Sequence, residues 1–82
     1  MHQTIKEPIK VLVSFFGQQV RPLAFFWKGR RYEIDKINLV HSLRQGRDTL
    51  YYFSVSDKAN FYRLSFDTGS LAWSLEEIYA EG

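Results

Sequence analysis

Apolar side chains recur at every second position in this chain, in short runs separated by glycine-bearing polar turns. That spacing fits strands with one face buried and leaves no room for a convincing helix between them. Ile9, Val11, Val13 and Phe15 alternate with Lys10, Leu12, Ser14 and Phe16. In the next run Leu23, Phe25 and Trp27 share a face, and Pro22 marks an edge or strand-entry position because proline cannot donate to a ladder. Tyr32 and Ile34 follow, then the apolar parity moves to Ile37 and Leu39. One extra residue swaps inward and outward faces, so the change of phase predicts a β-bulge or bend at Asp35-Lys36. That strand is expected to fade through His41 to Arg44. Thr49, Tyr51, Phe53 and Val55 form another face, as do Tyr62, Leu64 and Phe66, and finally Leu71, Trp73 and Leu75.

The turns fall at Gly17-Gln18-Gln19, Lys28-Gly29-Arg30-Arg31, Gln45-Gly46-Arg47-Asp48, Ser56 to Asn60 and Asp67 to Ser70. Glycine in a tight hairpin loop admits the positive φ that twisted hairpins require. At the second turn, a loop at Gly29-Arg30 pairs Trp27 with Tyr32, whereas a loop at Lys28-Gly29 pairs Phe25 with Tyr32. Either register keeps the same apolar stripe. The expected architecture is all-β: about six antiparallel strands in a meander, curled into a small barrel or strongly curved sheet. Residues 1–82 read as a single domain in which residues 1–7 are a frayed arm closed by Pro8. Ser74 followed by Glu77 is also a capping-box pattern and would allow a short C-terminal helical turn, with strand the preferred reading.

A chain of 82 residues without cysteine must gain its stability from packing, and aromatic residues, at 17%, supply large buried surfaces. Phe15, Phe25, Trp27, Tyr32, Phe53, Tyr62, Phe66 and Trp73 occupy the positions a small core would use. Phe16, Phe26, Tyr52 and Phe61 fall out of phase and should face outward; Tyr51 and Tyr79 are unassigned. The lack of cysteine also excludes a disulfide framework, a thiol nucleophile and a Cys-containing zinc site. No apolar run approaches the roughly 20 residues of a membrane span, and Met1 to Glu7 has no signal-peptide apolar core. The expected setting is the cytoplasm, with no membrane partner.

Catalytic groupings are poor. His41 is the only histidine outside the arm, and the neighbouring Ser42 points to the opposite face of a strand. Glu33 with Asp35, and Glu76 with Glu77, read as solvated charge rather than acid–base pairs. No glycine-rich phosphate loop and no metal-ligand spacing is present. We therefore expect no enzyme activity, no cofactor and no metal.

Charge is unevenly distributed along the chain. Met1 to Arg47 holds 9 Lys and Arg against 3 Asp and Glu, and Asp48 to Gly82 holds 2 against 6. Arg21, Lys28, Arg30, Arg31, Arg44 and Arg47 punctuate a stretch that includes Phe26, with Tyr52 just beyond it. Cations neutralise phosphates and exposed rings stack on bases, so these eight residues are the candidate binding set. They point to a non-catalytic module for nucleic acid or a nucleic-acid enzyme. The alternative is a protein-interaction or self-assembly module, including a homo-oligomer, that uses an edge strand and the exposed aromatics.

The run Pro22-Leu23-Ala24-Phe25-Phe26-Trp27-Lys28-Gly29-Arg30-Arg31-Tyr32-Glu33-Ile34 has the pattern Pro, then Phe-x-Trp-x-Gly-Arg-x-Tyr-x-hydrophobic. With Ile37, Tyr52-Phe53, Tyr62, Leu64, Phe66 and Trp73, it resembles a small bacterial domain family of unknown function over residues 20–79. Members are short, cytoplasmic and sometimes encoded beside or fused to translesion-type DNA polymerases. The resemblance thus implies a nucleic-acid partner or a DNA-polymerase-associated protein. The chain departs from the pattern after Ile37, where an aromatic is expected near the position of His41. No catalytic residue carries over.

Overall fold

The computed structural model describes residues 1–80; Glu81, one of the carboxylates of the acidic half, and Gly82 lie outside them. Seven antiparallel strands form one sheet: β1 (His2–Phe16), β2 (Gln19–Trp27), β3 (Arg30–Glu33), β4 (Lys36–Gln45), β5 (Asp48–Ser56), β6 (Asn60–Asp67) and β7 (Ala72–Ala80). Their spatial order is β3-β2-β1-β7-β6-β5-β4, and there is no helix among the described residues. The all-β antiparallel expectation holds. The sheet is curled but not closed.

β1 is long enough to serve two neighbours. Its first part, His2 to Ile9, pairs with β7, and its second, Lys10 to Phe16, pairs with β2. The N-terminal arm is therefore not frayed: Met1 donates its amino group to the Ala80 carbonyl at 2.7 Å, and Ala80 N–H returns to the Met1 carbonyl at 2.8 Å. Alternation is interrupted at Lys6, where φ is 53° and the β1–β7 register shifts, which hid this pairing from a period-2 reading. At the far end of the chain, Ala72 to Ala80 is strand throughout, so the C-terminal helical turn does not form. Pairing on both sides, with β1 and β6, outweighs the Ser74/Glu77 capping pattern.

The hairpin loops follow glycine chemistry. Lys28 and Gly29 both have positive φ, 52° and 73°, as a type I′ turn requires, and the register pairs Phe25 with Tyr32. Gly17 and Gly46 take positive φ at the first position of two-residue loops, the mark of type II′.

Between Tyr32 and Leu39 the structure departs from expectation. A bend at Asp35-Lys36 within one strand is replaced by a crossing between sheet edges: β3 lies at one edge and β4 at the other, with Ile34 and Asp35 between them. Ile34 N–H donates to the Leu23 carbonyl at 2.9 Å and Asp35 N–H to the Ser56 carbonyl at 3.0 Å. These bonds draw the two edges together at one end of the sheet. The bulge itself lies at Asn38, between Ile37 and Leu39, so Val40 rather than Leu39 faces Phe53. β4 does not fade at His41 but pairs with β5 as far as Gln45.

Phe25, Phe53, Val55, Tyr62, Leu64, Phe66, Trp73 and Leu75 form the core, with Trp27 and Tyr32 packed against it. Phe66 and Trp73 stack with ring centroids 4.6 Å apart, and Tyr62 meets Phe25 edge-on at 5.1 Å. Each large side chain so buried contributes about 2–3 kcal/mol. Two expected core positions move outward. Phe15 is 62% exposed because it overhangs the core one residue from the β1–β2 turn region. Leu23 is bulged opposite Leu12 and Val13, so that Pro22 and Phe25 are both fully buried while Leu23 between them turns towards solvent. Phe16, Phe26 and Phe61 are exposed as expected.

Candidate functional site

On the outer face of β1, β2 and β3, strand register builds a row of three side chains. Lys10 lies opposite Phe26, and Phe26 opposite Arg31. Directly opposed side chains in antiparallel strands have Cβ atoms about 5 Å apart, so a ring sits between two cations. The Arg31 guanidinium lies 5.6 Å from the Phe26 ring centroid, and Phe26 remains 40% exposed. Pro8, Ile9, Lys10, Phe26 and Gly29 line a shallow apolar hollow beside this row.

The hairpin tip carries two more cation–ring contacts. Lys28 Nζ is 4.8 Å from the Trp27 centroid, and the Arg30 guanidinium is 5.6 Å from that of Tyr32. Trp27 and Tyr32 face inward and pack against the core, and the Lys28 and Arg30 cations lie over their rings on the solvent side. The Trp27 indole N–H donates to the Glu7 carboxylate at 3.1 Å and ties the tip to β1.

The remaining candidates lie elsewhere. Arg21 shares the outer face of β2 but pairs with Ser14, four residues along β1 from Lys10, or about 13 Å at the usual strand rise. Arg44 and Arg47 belong to the β4–β5 hairpin end, eight or more residues along the strand from Lys36, or about 26 Å. Tyr52 faces outward as expected, under Arg63, whose guanidinium is 4.5 Å from its ring centroid. The structure thus pairs Phe26 with Arg31 on the outer face, sets Lys28 and Arg30 at the same hairpin tip but on the Trp27/Tyr32 side, and leaves Arg21, the Arg44/Arg47 pair and Tyr52 in three other places.

The lopsided charge does not become two oppositely charged faces. Arg31 Nε donates to the Glu33 carboxylate, and Asp57 lines the same groove as Arg30 and Arg31. Asp48 stands at the β4–β5 hairpin beside Arg47. Asp57 accepts the Ala59 and Asn60 amides at 2.8 and 2.7 Å and the Tyr62 hydroxyl at 2.9 Å. Burial would raise this carboxyl, but those donors outweigh it and hold it below its ordinary value.

Sequence reasoning missed Lys10 and Arg63. Lys10 sits on the outward face by alternation alone but lies upstream of the basic stretch; Arg63 reaches Tyr52 only through the β5–β6 register, which alternation does not set. His41 is exposed on β4 opposite Tyr52, and among the described residues no carboxylate pairs with it. Glu76 accepts the Ser65 hydroxyl at 2.8 Å, and Glu77 contacts His2 at 2.9 Å, so the two carboxylates serve different neighbours. Among the described residues no group of His, Asp and Glu is placed to hold a metal ion. Nor is any helix there long and apolar enough to cross a membrane.

The fold and site define the class no further than a small curled antiparallel sheet with a cation-flanked aromatic on its outer face. No family model, curated protein or solved structure matches the chain.

Proposed function

We propose that the protein is a non-catalytic β module that binds nucleic acid, or an enzyme working on it, through the outer face of β1–β2–β3 and its hairpin tip. The observation that carries this reading is the Lys10, Phe26, Arg31 row, in which an exposed ring is flanked by two cations. A single-stranded nucleic acid offers what such a row recognises: a base face to stack on Phe26 and phosphates on either side for Lys10 and Arg31. Lys28 and Arg30 extend the positive surface to the tip, and Arg21 lies further along the same face. The resemblance at Pro22 to Ile34 supports a bacterial, cytoplasmic setting and a DNA-polymerase-associated partner.

Fluorescence anisotropy with single-stranded and duplex oligonucleotides at low salt tests this reading. Single-stranded DNA should bind more tightly than duplex, and affinity should fall with salt with a log–log slope of about 0.7 per phosphate neutralised. Arg31→Glu should reduce both affinity and slope. Absence of binding to either oligonucleotide at low salt would remove the nucleic-acid reading. The free edge of β4 favours docking of a protein chain as a second reading.

A further inference from the structure

The curled sheet has an open slit along one side. β3 pairs only with Ala24 to Trp27 of β2, so among the described residues no strand pairs with the first half of β2 on that side. Across the gap, β4 forms the sheet edge. Gln18, Gln19, Val20, Arg21, Ile37, Val40, Tyr51 and Phe53 line a groove of about 330 Å³ there. Val20, Ile37, Val40 and Phe53 give it an apolar part, and it opens to solvent.

The two walls differ in what they offer an incoming strand. A two-residue hairpin loop is flanked by residues that exchange both hydrogen bonds, and the pattern alternates from there. On β4, with Gln45 opposite Asp48, this leaves the N–H and C=O groups of Val40, Ser42 and Arg44 directed at the slit. On β2, with Phe16 opposite Gln19, the slit-facing positions are Val20 and Pro22, and Pro22 has no N–H. Proline thus blunts the β2 wall, whereas Leu39 to Gln45 runs without proline, glycine or bulge. Leu39, Val40 and Leu43 are 63%, 50% and 45% exposed on this edge strand.

Charge selects the occupant. β4 carries Lys36, His41 and Arg44 and no carboxylate, Arg21 stands on the facing wall, and among the described residues no carboxylate lines this groove; Asp35 lies beside Lys36 where the slit continues towards the β3–β4 crossing. A second copy would bring the same cations to an edge-to-edge pairing, and like charges opposed across strands are destabilising.

We propose that the slit is a docking site for an extended acidic segment of a partner protein, which adds to β4 as a further strand. Its alternate apolar side chains would lie over Val20, Val40, Tyr51 and Phe53, and its carboxylates, on the opposite face, would meet Arg21 and Lys36. Arg21 borders both surfaces, but the Val40, Ser42 and Arg44 amides belong to the slit alone, so at those positions the proposal stands or falls independently of nucleic-acid binding.

The test uses a fluorescein-labelled peptide of about ten alternating valine and glutamate residues, long enough for one strand. Its counterpart has lysine in place of glutamate. The acidic peptide should bind saturably and the basic one about tenfold or more weakly. On 15N-labelled wild-type protein, the acidic peptide should shift and protect the amides of Val40, Ser42 and Arg44. Ser42→Pro removes an outward N–H without touching the β5 ladder and should abolish binding while retaining the thermal transition. Shifts confined to Lys10, Phe26 and Lys28 to Arg31, or binding unchanged in Ser42→Pro, would overturn the proposal. So would equal binding of both peptides, binding of neither, or a β4-mediated dimer seen by light scattering without peptide.

Discussion

The Tyr62 hydroxyl donates to the Asp57 carboxylate at 2.9 Å, joining a core ring to the β5–β6 turn. The same carboxylate accepts the amides of Ala59 and Asn60, so three donors converge on one side chain. Its folded carboxyl titrates below the unfolded value of about 3.9. The stabilisation is therefore complete above that value and is lost as pH falls through the lower folded one. Asp57→Ala should lower stability by about 1–2 kcal/mol near neutrality. In thermal melts from pH 7 down to about 2, the difference from wild type should narrow below the carboxyl range. A difference that stays constant across that range would show that the charge of Asp57 is immaterial.

Lys28 holds a left-handed conformation, φ 52°, at a loop position where asparagine is preferred. Lys28→Asn should raise stability by about 0.5–1 kcal/mol in urea titrations. In the same variant the loss of a tip cation should weaken single-stranded DNA binding. Opposite movements of stability and affinity would identify Lys28 as a residue kept for binding; a fall in stability would contradict the turn assignment.

Phe25 and Phe26 are adjacent in sequence and opposite in consequence, since Phe25 is fully buried and Phe26 lies on the outer face. Phe25→Ala should cost about 3–5 kcal/mol. Phe26→Ala should stay within about 1 kcal/mol of wild type while reducing oligonucleotide affinity, as loss of a stacking ring does. Chemical denaturation and anisotropy on the two variants separate the roles.

A Cβ added to Gly69, in the β6–β7 turn, would overlap the carboxylate of Asp48 at the start of β5. The Asp48 carboxylate is the exposed end of a side chain that can swing aside, so Gly69→Ala should destabilise by no more than about 0.5 kcal/mol, and adding Asp48→Ala should recover most of that loss. Additive losses in the double-mutant cycle would show that the two positions do not interact.

The strands from Asp48 onward were legible because alternation holds within each core-facing run, and Phe53, Val55, Tyr62, Leu64, Phe66 and Trp73 all reach the core; the register shift at Glu76 in β7 falls beyond them. Leu71 departs from its run, with a φ of 61° in the turn before β7. The first half was less legible because bulges reset the period. Leu23, Lys6 and Asn38 each lie where a register shifts, and each misdirected the inference of face or strand limit near it. Strand order is a further property that periodicity does not carry: nothing in Glu33-Ile34-Asp35-Lys36 announces that the chain passes from one sheet edge to the other. Of the candidate site, the tip cations and Phe26 were legible from local chemistry. Lys10 joins them only through pairing with a strand distant in sequence.

The pairing of β1 with β7 has a consequence for how the chain acquires its structure during synthesis. The hairpins β1–β2–β3 and β4–β5–β6 have local partners, but His2 to Ile9 waits for the strand made last. Topologies closed by contacts between distant segments fold slowly, since the loop must be ordered before the contact rewards it. Until Ala72 to Ala80 leaves the ribosome, Ile5 and Ile9 lack the neighbour that shields them, and the nascent chain exposes an unpaired edge open to association with other chains.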